Sequence, residues 1–408
     1  MNRRLIFIFL ISCAALCYEI VLIRLLSVVQ DASFVGVVIS LALLGFGYSG
    51  SLISVLELSS LNKKKKFSQS QYLIFNALMF ALTSLLSFLW VEHIQYKPDQ
   101  ILWDHSFILN LIGYFIILSI PFFFASNCIS LAMIYEREKF GKVYASDLVG
   151  ASLGCIFAII FLNLFLPQTV LWLVIAISLL ACLSICYDRI SFSFIICLIS
   201  VTLFVHLKTG PLDLVVSSYK AQSKALNLPG AQLVHTESSA QEYLTVVSSP
   251  EIPFHYAPSL GLDYKGSLPK QLGLFVDGQI FFAIDQKPKA SEFYYPYLLD
   301  ALPYHLKARA RVLQLGLGGA SVLRLAQSFD SSSVVVIEPN SNLKNLFQKL
   351  PYGFQLDLRT GKDFIWANTI QASLSTSDQK FDLIHIPETF ATPSSLSYRP
   401  QGNELFTL

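Results

Sequence analysis

The sequence predicts a multi-span α-helical membrane bundle joined to an α/β domain, and three observations predict it. Apolar runs of about twenty residues recur through the first half, each long enough to cross a hydrocarbon core. The composition breaks near Lys208, after which short β-type runs alternate with polar text. A strand, a glycine turn and a helix then follow one another around Gly316-Leu-Gly-Gly-Ala-Ser321. The chain has 408 residues, of which 54% are hydrophobic and only 14% charged. Soluble domains carry about a quarter charged residues, so the deficit is concentrated, and it falls in the first half.

The spans read as 5–29, 33–56, 72–91, 106–134, 143–166, 168–186 and 191–207, and the last is short enough that the count is six or seven. The first run follows Arg3 and Arg4 like a signal peptide. It has no small-residue cleavage site, carries Glu19 and Arg24, and is followed at once by another span, so it reads as a retained helix. Arg3 and Arg4, the run Lys63–Lys66, then Arg137, Lys139 and Lys142, and finally Arg189 share one side if every span crosses. By the positive-inside rule that side is cytoplasmic. Seven crossings leave the following domain outside the cytoplasm and six keep it inside.

Small residues recur at helix-packing spacing in two spans: Ser146, Gly150 and Gly154 in the fifth, and Gly47 and Ser51 beside Gly45 and Gly50 in the second. Such spacing lets helix backbones approach closely in lipid. The seven cysteines (Cys13, Cys17, Cys128, Cys155, Cys182, Cys186 and Cys197) all lie in or beside the apolar half without a zinc-type partner set, and read as small packing residues. Polar groups at membrane depth are Glu19, Arg24, Asn127 and Asp147. They are costly there and need a partner or a wet cavity. One reading gathers them into a polar pocket or relay. The other lets Arg24 and Asp147 reach the interface while Glu19 pairs structurally. The net charge of +2 gives no reason to expect a nucleic-acid partner.

Beyond about Gln232, Tyr243–Val247, Leu272–Val276 and Ile280–Ile284 read as strands, with Asp277-Gly278 a hairpin turn between the last two. Residues 291–306 fit a helix that Pro296 and Pro303 shape or shorten. Arg311–Leu315 reads as a buried parallel strand, Ser321–Ser328 as a helix, Val334–Ile337 as the next strand ending in Glu338, and Phe381–Ile386 as a later one. A glycine turn with an acid about twenty residues on is the pattern of a dinucleotide-type βαβ unit. Glycines let the backbone approach a ligand, and the acid accepts bonds from ribose hydroxyls. A purely structural turn has the same spelling.

Leu16-Cys-Tyr-Glu-Ile-Val-Leu-Ile-Arg-Leu-Leu26, the glycine-rich second span and Gly141-Lys-Val-Tyr-Ala-Ser-Asp-Leu-Val-Gly-Ala-Ser-Leu-Gly154 resemble the membrane half of bacterial membrane-fused spermidine-synthase-like proteins. The second half resembles the spermidine synthase branch of the class I methyltransferase-like, Rossmann-like fold. Leu274-Phe-Val-Asp-Gly-Gln279 is similar to that family's hairpin segment, Ser291-Glu-Phe-Tyr-Tyr295 to its helix start, and Gln241 to the Gln of an early motif whose Tyr is here Ala240. The resemblance implies a membrane domain at 1–207, a linker at 208–230, a β-hairpin subdomain at 231–290 and a truncated Rossmann-like domain at 291–408. It implies residence in a bacterial inner membrane, with the bilayer as partner and a homodimer as a compatible assembly. No tightly bound cofactor is implied. The ligand is decarboxylated S-adenosylmethionine or a related adenosyl compound, with a polyamine as co-substrate. Gly316, Gly318, Gly319, Glu338, Asp363 and Gln241 would bind the nucleoside, and Asp277, Glu292 and Tyr295 the substrate.

The chain departs from the family at the amine end. Aminopropyl transfer needs a neutral amine nucleophile and a carboxylate to take its proton. The family's two late Asp positions are here Pro387 and Phe390, within His385-Ile-Pro-Glu-Thr-Phe390. Glu388 and His385 are the replacement candidates. The turn lacks its acid, since Gly319 and Ala320 stand there, and the later adenine-contacting Asp position falls in Arg359-Thr-Gly-Lys362 with Asp363 shifted. The final Leu405-Phe-Thr-Leu408 reads like a helix start, so the chain is expected to be a fragment with part of the sheet missing. Three functions are carried forward: a membrane-anchored aminopropyltransferase-like enzyme, a catalytically degenerate nucleoside-binding sensor or regulator, and a transporter-like or membrane-redox partner acting through the polar spans.

Overall fold

The computed structural model describes residues 3–30, 34–59, 68–91, 106–186, 189–209, 214–287, 293–317, 319–338, 341–351, 353–354, 364–366 and 379–386. The chain divides into two compact units, residues 1–217 with 238–240, and residues 218–237 with 241–408.

Among the described residues the first unit holds seven long helices: α1 (Arg3–Val29), α2 (Phe34–Ser59), α3 (Gln69–Val91), α4 (Ser106–Tyr135), α5 (Phe140–Leu164), α6 (Pro167–Ile185) and α7 (Arg189–Thr209). Each is long and apolar enough to cross a membrane. The protein is therefore a multi-pass membrane protein. The short run that left the count open extends at both ends, and α7 has 21 residues. At 1.5 Å per residue that is roughly 30 Å, the thickness of a hydrocarbon core.

Helix α1 is the hub. Phe7, Ile8, Ser12, Cys13, Cys17 and Ser27 point in different directions around its axis, and all are buried. Helix α5 runs parallel to it in direct backbone contact. The Ser146 hydroxyl donates to the Leu5 carbonyl at 2.7 Å. A Cβ at Gly150 would fall on the carbonyl of Phe9, and one at Gly154 on that of Cys13. The spacing of Ser146, Gly150 and Gly154 is thus a packing device, as the sequence suggested. The second span corrects the sequence reading. Gly47 and Gly50 face open space, and the Ser51 hydroxyl donates back to the Gly47 carbonyl of its own helix at 3.0 Å. Gly45 makes the close approach instead: a Cβ there would meet Phe122 Cβ at 2.7 Å and the Ser119 carbonyl of α4 at 2.8 Å. Two residues of helix rotate a side chain by about 200°, so Gly45 and Gly47 look in opposite directions. Cys13, Cys17, Cys128, Cys182 and Cys186 are buried free thiols, whereas Cys197 is exposed.

The second unit opens with a short helix, α8 (Ala221–Leu226), inside the stretch read as linker. Strands β1 (Gln232–Ser238), β2 (Tyr243–Ser248), β3 (Gln271–Val276) and β4 (Ile280–Asp285) form a sheet in that order. Strands β3 and β4 pair antiparallel from Gln271↔Asp285 to Val276↔Ile280. The connection is the three-residue loop Asp277-Gly278-Gln279, in which Asp277 and Gly278 both have left-handed backbone, φ 51° and 70°, a conformation that Asp and Gly tolerate best. Where one helix was expected over 291–306, the described part holds two 3-10 turns, Tyr295–Tyr297 and Leu299–Ala301, and a short helix α9 (Leu302–Leu306). Pro296 and Pro303 each sit at the start of a segment. A proline without an N–H is tolerated there and not in a helix interior, so each one restarts the chain.

Strand β5 (Arg311–Leu315), helix α10 (Ser321–Ser328), β6 (Ser333–Glu338), helix α11 (Ser341–Lys349), β7 (Phe364–Trp366) and β8 (Leu383–His385) follow. The strands form a parallel sheet in the order β7-β6-β5-β8. Parallel neighbours need crossovers, and α10 supplies the one from β5 to β6. The central strand is buried on both faces. Leu313 and Leu315 pack with Val335 and Ile337 on one side, and Val312 packs with Leu325 and Ala326 on the other. The two sheets share a core, because Val246 and Leu274 of the first pack with Leu323, Leu346 and Phe347 of α10 and α11.

Candidate functional site

The carboxyl ends of β5 and β6 carry the candidate nucleoside site. Gly316 has φ 94°, which turns the chain sharply after β5, and its N–H donates to the Ile337 carbonyl at 2.8 Å. The next amide, Leu317 N–H, donates to Glu338 Oε2 at 2.6 Å. Glu338 ends β6 and is 4% exposed. The Gln314 side-chain amide donates to the Gly316 carbonyl at 2.8 Å and closes the turn from beneath. Turn and acid therefore meet, as their spacing in sequence required.

Gly319 answers a different need. A Cβ there would strike the Ala283 carbonyl of β4 and lie 3.3 Å from Phe282 Cβ. The absent side chain makes room for the antiparallel sheet, and Ala320, at φ 67°, then leads into α10. Gly318 and Asp363 lie outside the described residues.

Asp277 stands at the opposite task, holding its own hairpin. Its Oδ1 accepts from the Tyr243 N–H at 2.9 Å, and its carbonyl accepts from the buried Lys220 ammonium at 2.6 Å. Gln241 is exposed two residues before Tyr243, so the fold brings Gln241, Asp277 and Lys220 to one end of the antiparallel sheet. Glu292 lies outside the described residues.

Tyr295 is fully buried and donates to Asp285 Oδ2 at 2.6 Å. Tyr294 donates to the same oxygen at 2.9 Å, and Gln271 donates to Oδ1 at 2.9 Å. Burial raises the Asp285 carboxyl above its ordinary value, while the hydroxyls, the Gln271 amide and nearby Arg324 pull it partly back. Burial, and then the Asp285 charge, raise both tyrosines. Sequence reading missed Asp285. Its one signal was an acid ending a strand that follows a hairpin turn, with Tyr294-Tyr295 close behind.

His385 ends β8, and its Nδ1 lies 3.0 Å from the Tyr304 hydroxyl. Burial lowers its pKa, against a smaller upward pull from Asp300. It borders an open cleft of about 440 Å³ between Leu299, Asp300, Leu302 and Pro303 on one side and residues 383–386 on the other. A neutral imidazole beside a hydroxyl can accept or relay a proton. Glu388, with Pro387 and Phe390, lies outside the described residues.

The membrane polar residues fall into separate constellations. Asp147 accepts a short bond from the Ser12 hydroxyl. Asn127 accepts from Ser49 at 2.6 Å and donates to Asn76 at 3.1 Å, forming a buried polar chain across α2, α4 and α3. Arg24 is 1% exposed within the bundle and bonds Ser27 at 3.1 Å. Glu19 is half-buried on α1. Among the described residues no group of three His, Cys, Asp or Glu is placed to hold a metal ion. No family model matches the chain, and no curated protein or solved structure is significantly similar to it.

Proposed function

We propose that the chain is an integral membrane protein of spermidine-synthase-like type, in a bacterial inner membrane, whose second unit is a Rossmann-like domain that binds an adenosyl nucleoside. The supporting observation is the contact between the Leu317 amide and Glu338 at the crest of the parallel sheet. It holds a carboxylate beside the glycine turn, where a ribose would hydrogen-bond. Decarboxylated S-adenosylmethionine is the first ligand to try, and putrescine the amine.

Binding without aminopropyl transfer is the form we favour. Asp277 is committed to the Tyr243 backbone and Tyr295 to Asp285, and by the register of the resemblance Pro387 and Phe390 replace the family's two late Asp residues.

Titration calorimetry on the full chain with decarboxylated S-adenosylmethionine and methylthioadenosine, with and without putrescine, tests this. Glu338→Gln keeps an acceptor for Leu317 yet weakens a charge-assisted ribose contact. It should lose about tenfold in affinity, roughly 1.4 kcal/mol. Spermidine formation would restore the enzymatic reading, and no binding by the wild type would remove both.

A further inference from the structure

The first unit settles which end of the bundle the chain leaves from. Its contacts fix an alternating up-and-down order. Helices α1 and α5 are parallel, since Leu5, Phe9 and Cys13 meet Ser146, Gly150 and Gly154 in turn. Helices α2 and α4 are parallel to each other, with Gly45 on Phe122 and Ser49 on Asn127. Helix α6 is antiparallel to α3, because the Ser178 hydroxyl reaches the Ala77 carbonyl while the Cys182 thiol reaches that of Ile74. Helix α7 returns along α6, with the His206 ring near its end 5.9 Å from the Trp172 ring near the start of α6.

One end of the bundle is basic. There Arg4, at the start of α1, binds Glu136, just past α4, at 2.8 Å and Gln69, at the start of α3, at 2.9 Å. Exposed Lys139 and Lys142 lie at the start of α5 beside it. The run Lys63–Lys66 lies outside the described residues, in sequence between α2 and α3. The opposite end is where the chain departs. After α7, the Ser217 N–H donates to the carbonyl of Val29, the last residue of α1, at 2.8 Å. The Ala240 N–H likewise donates to Asn163, at the end of α5, at 3.2 Å.

We infer that the second unit belongs to the extracytoplasmic side. Short basic loops stay cytoplasmic, and Ser217 and Ala240, where the chain passes between the two units, lie at the other end. This goes beyond the proposed function and rests on none of its residues. It also limits the ligand: the second unit draws from the extracytoplasmic solution, so a cytosolic aminopropyl donor does not reach it without export.

Cysteine accessibility tests this on the full chain, because every native cysteine lies at or before Cys197 and the second unit has none. In a Cys197→Ser background, Leu262→Cys is fully exposed and Lys142→Cys sits at the basic end. A membrane-impermeant maleimide applied to intact cells should label Leu262→Cys at least tenfold faster than Lys142→Cys, with the difference vanishing after permeabilisation. Faster labelling at position 142, or equal labelling of both in intact cells, overturns the inference. If the cysteine variants do not accumulate, alkaline phosphatase and a fluorescent protein fused in turn to the end of the full chain decide. An active phosphatase and a dark fluorescent fusion are expected, and the reverse pair overturns it.

Discussion

The first unit is held together by side chains that are missing, and the second by carboxylates that are buried. In the bundle, Gly150 and Gly154 bring α5 onto the backbone of α1, and Gly45 brings α2 onto α4. In the second unit, Glu338, Asp277 and Asp285 each reach into the interior to fix a backbone amide or a pair of hydroxyls. The difference follows from the solvent. Lipid gives apolar helices no hydrophobic reason to associate, so close packing must supply it. Water supplies that drive without effort, and buried polar anchors then select one arrangement of loops and strands.

The largest expected effect tests the first half of that contrast. Gly154→Leu pushes a side chain into the Cys13 backbone, which cannot yield as a flexible side chain would. Overpacking of this kind costs about 1–3 kcal/mol or more. Thermal unfolding in detergent should show the bundle strongly destabilised, while Gly47→Leu, facing open space, changes little. Equal losses at the two positions would break the comparison.

Next comes Asp285. Asp285→Ala strips the partner from two buried tyrosine hydroxyls and the Gln271 amide, and each unsatisfied group costs about 1–3 kcal/mol. Asp285→Asn keeps an acceptor, removes the buried charge, and should cost far less in urea unfolding of the second unit. The pH dependence has a definite sign. The folded carboxyl is raised, so its contribution to stability is complete below the ordinary value of about 4 and is lost as pH rises through the raised one. Wild type should therefore lose ground to Asp285→Asn as pH rises from 4, and a gain would contradict a buried carboxylate penalised by desolvation. The smallest effect is at the exposed pair Arg311–Asp382, 3.1 Å apart. Hydrogen bonds from Arg311 lower the Asp382 carboxyl to about 2. Its modest contribution is present above the ordinary carboxylate range and lost as pH falls through 2. Asp382→Asn should approach wild type there in the same urea titration.

Periodic and local features were legible in the sequence. Six of the seven spans, the close-packing role of Gly150 and Gly154, the Asp277-Gly278 turn and the helix over Ser321–Ser328 follow from hydropathy, spacing and turn chemistry, whereas the short seventh span left the count open. The meeting of Glu338 with the glycine turn followed from the register of two adjacent parallel strands, Leu315↔Ile337. What failed depends on direction in space. Gly45 and Gly47 are equivalent as letters, and only the side on which α4 lies separates them. Asp285 was invisible because its partners come from a strand fourteen residues back, Gln271, and from a turn nine and ten residues on, Tyr294 and Tyr295. No spacing rule joins them. Prolines 296 and 303 mark a shaped or shortened helix in the sequence, and in the fold they break it into two 3-10 turns and a short helix.

Helix α1 is synthesised before α2 to α7 and yet occupies the middle of the finished bundle. Its walls are built from α5 and α6, which emerge more than a hundred residues later, on the order of ten seconds at typical elongation rates. Throughout that interval Arg24 keeps its bond to Ser27 of the same helix but lacks part of the wall that buries it, a costly state for a guanidinium at membrane depth. Biogenesis must therefore shelter a nascent helix whose place does not yet exist, and a chain arrested before α5 leaves α1 as an orphan for membrane quality control to find.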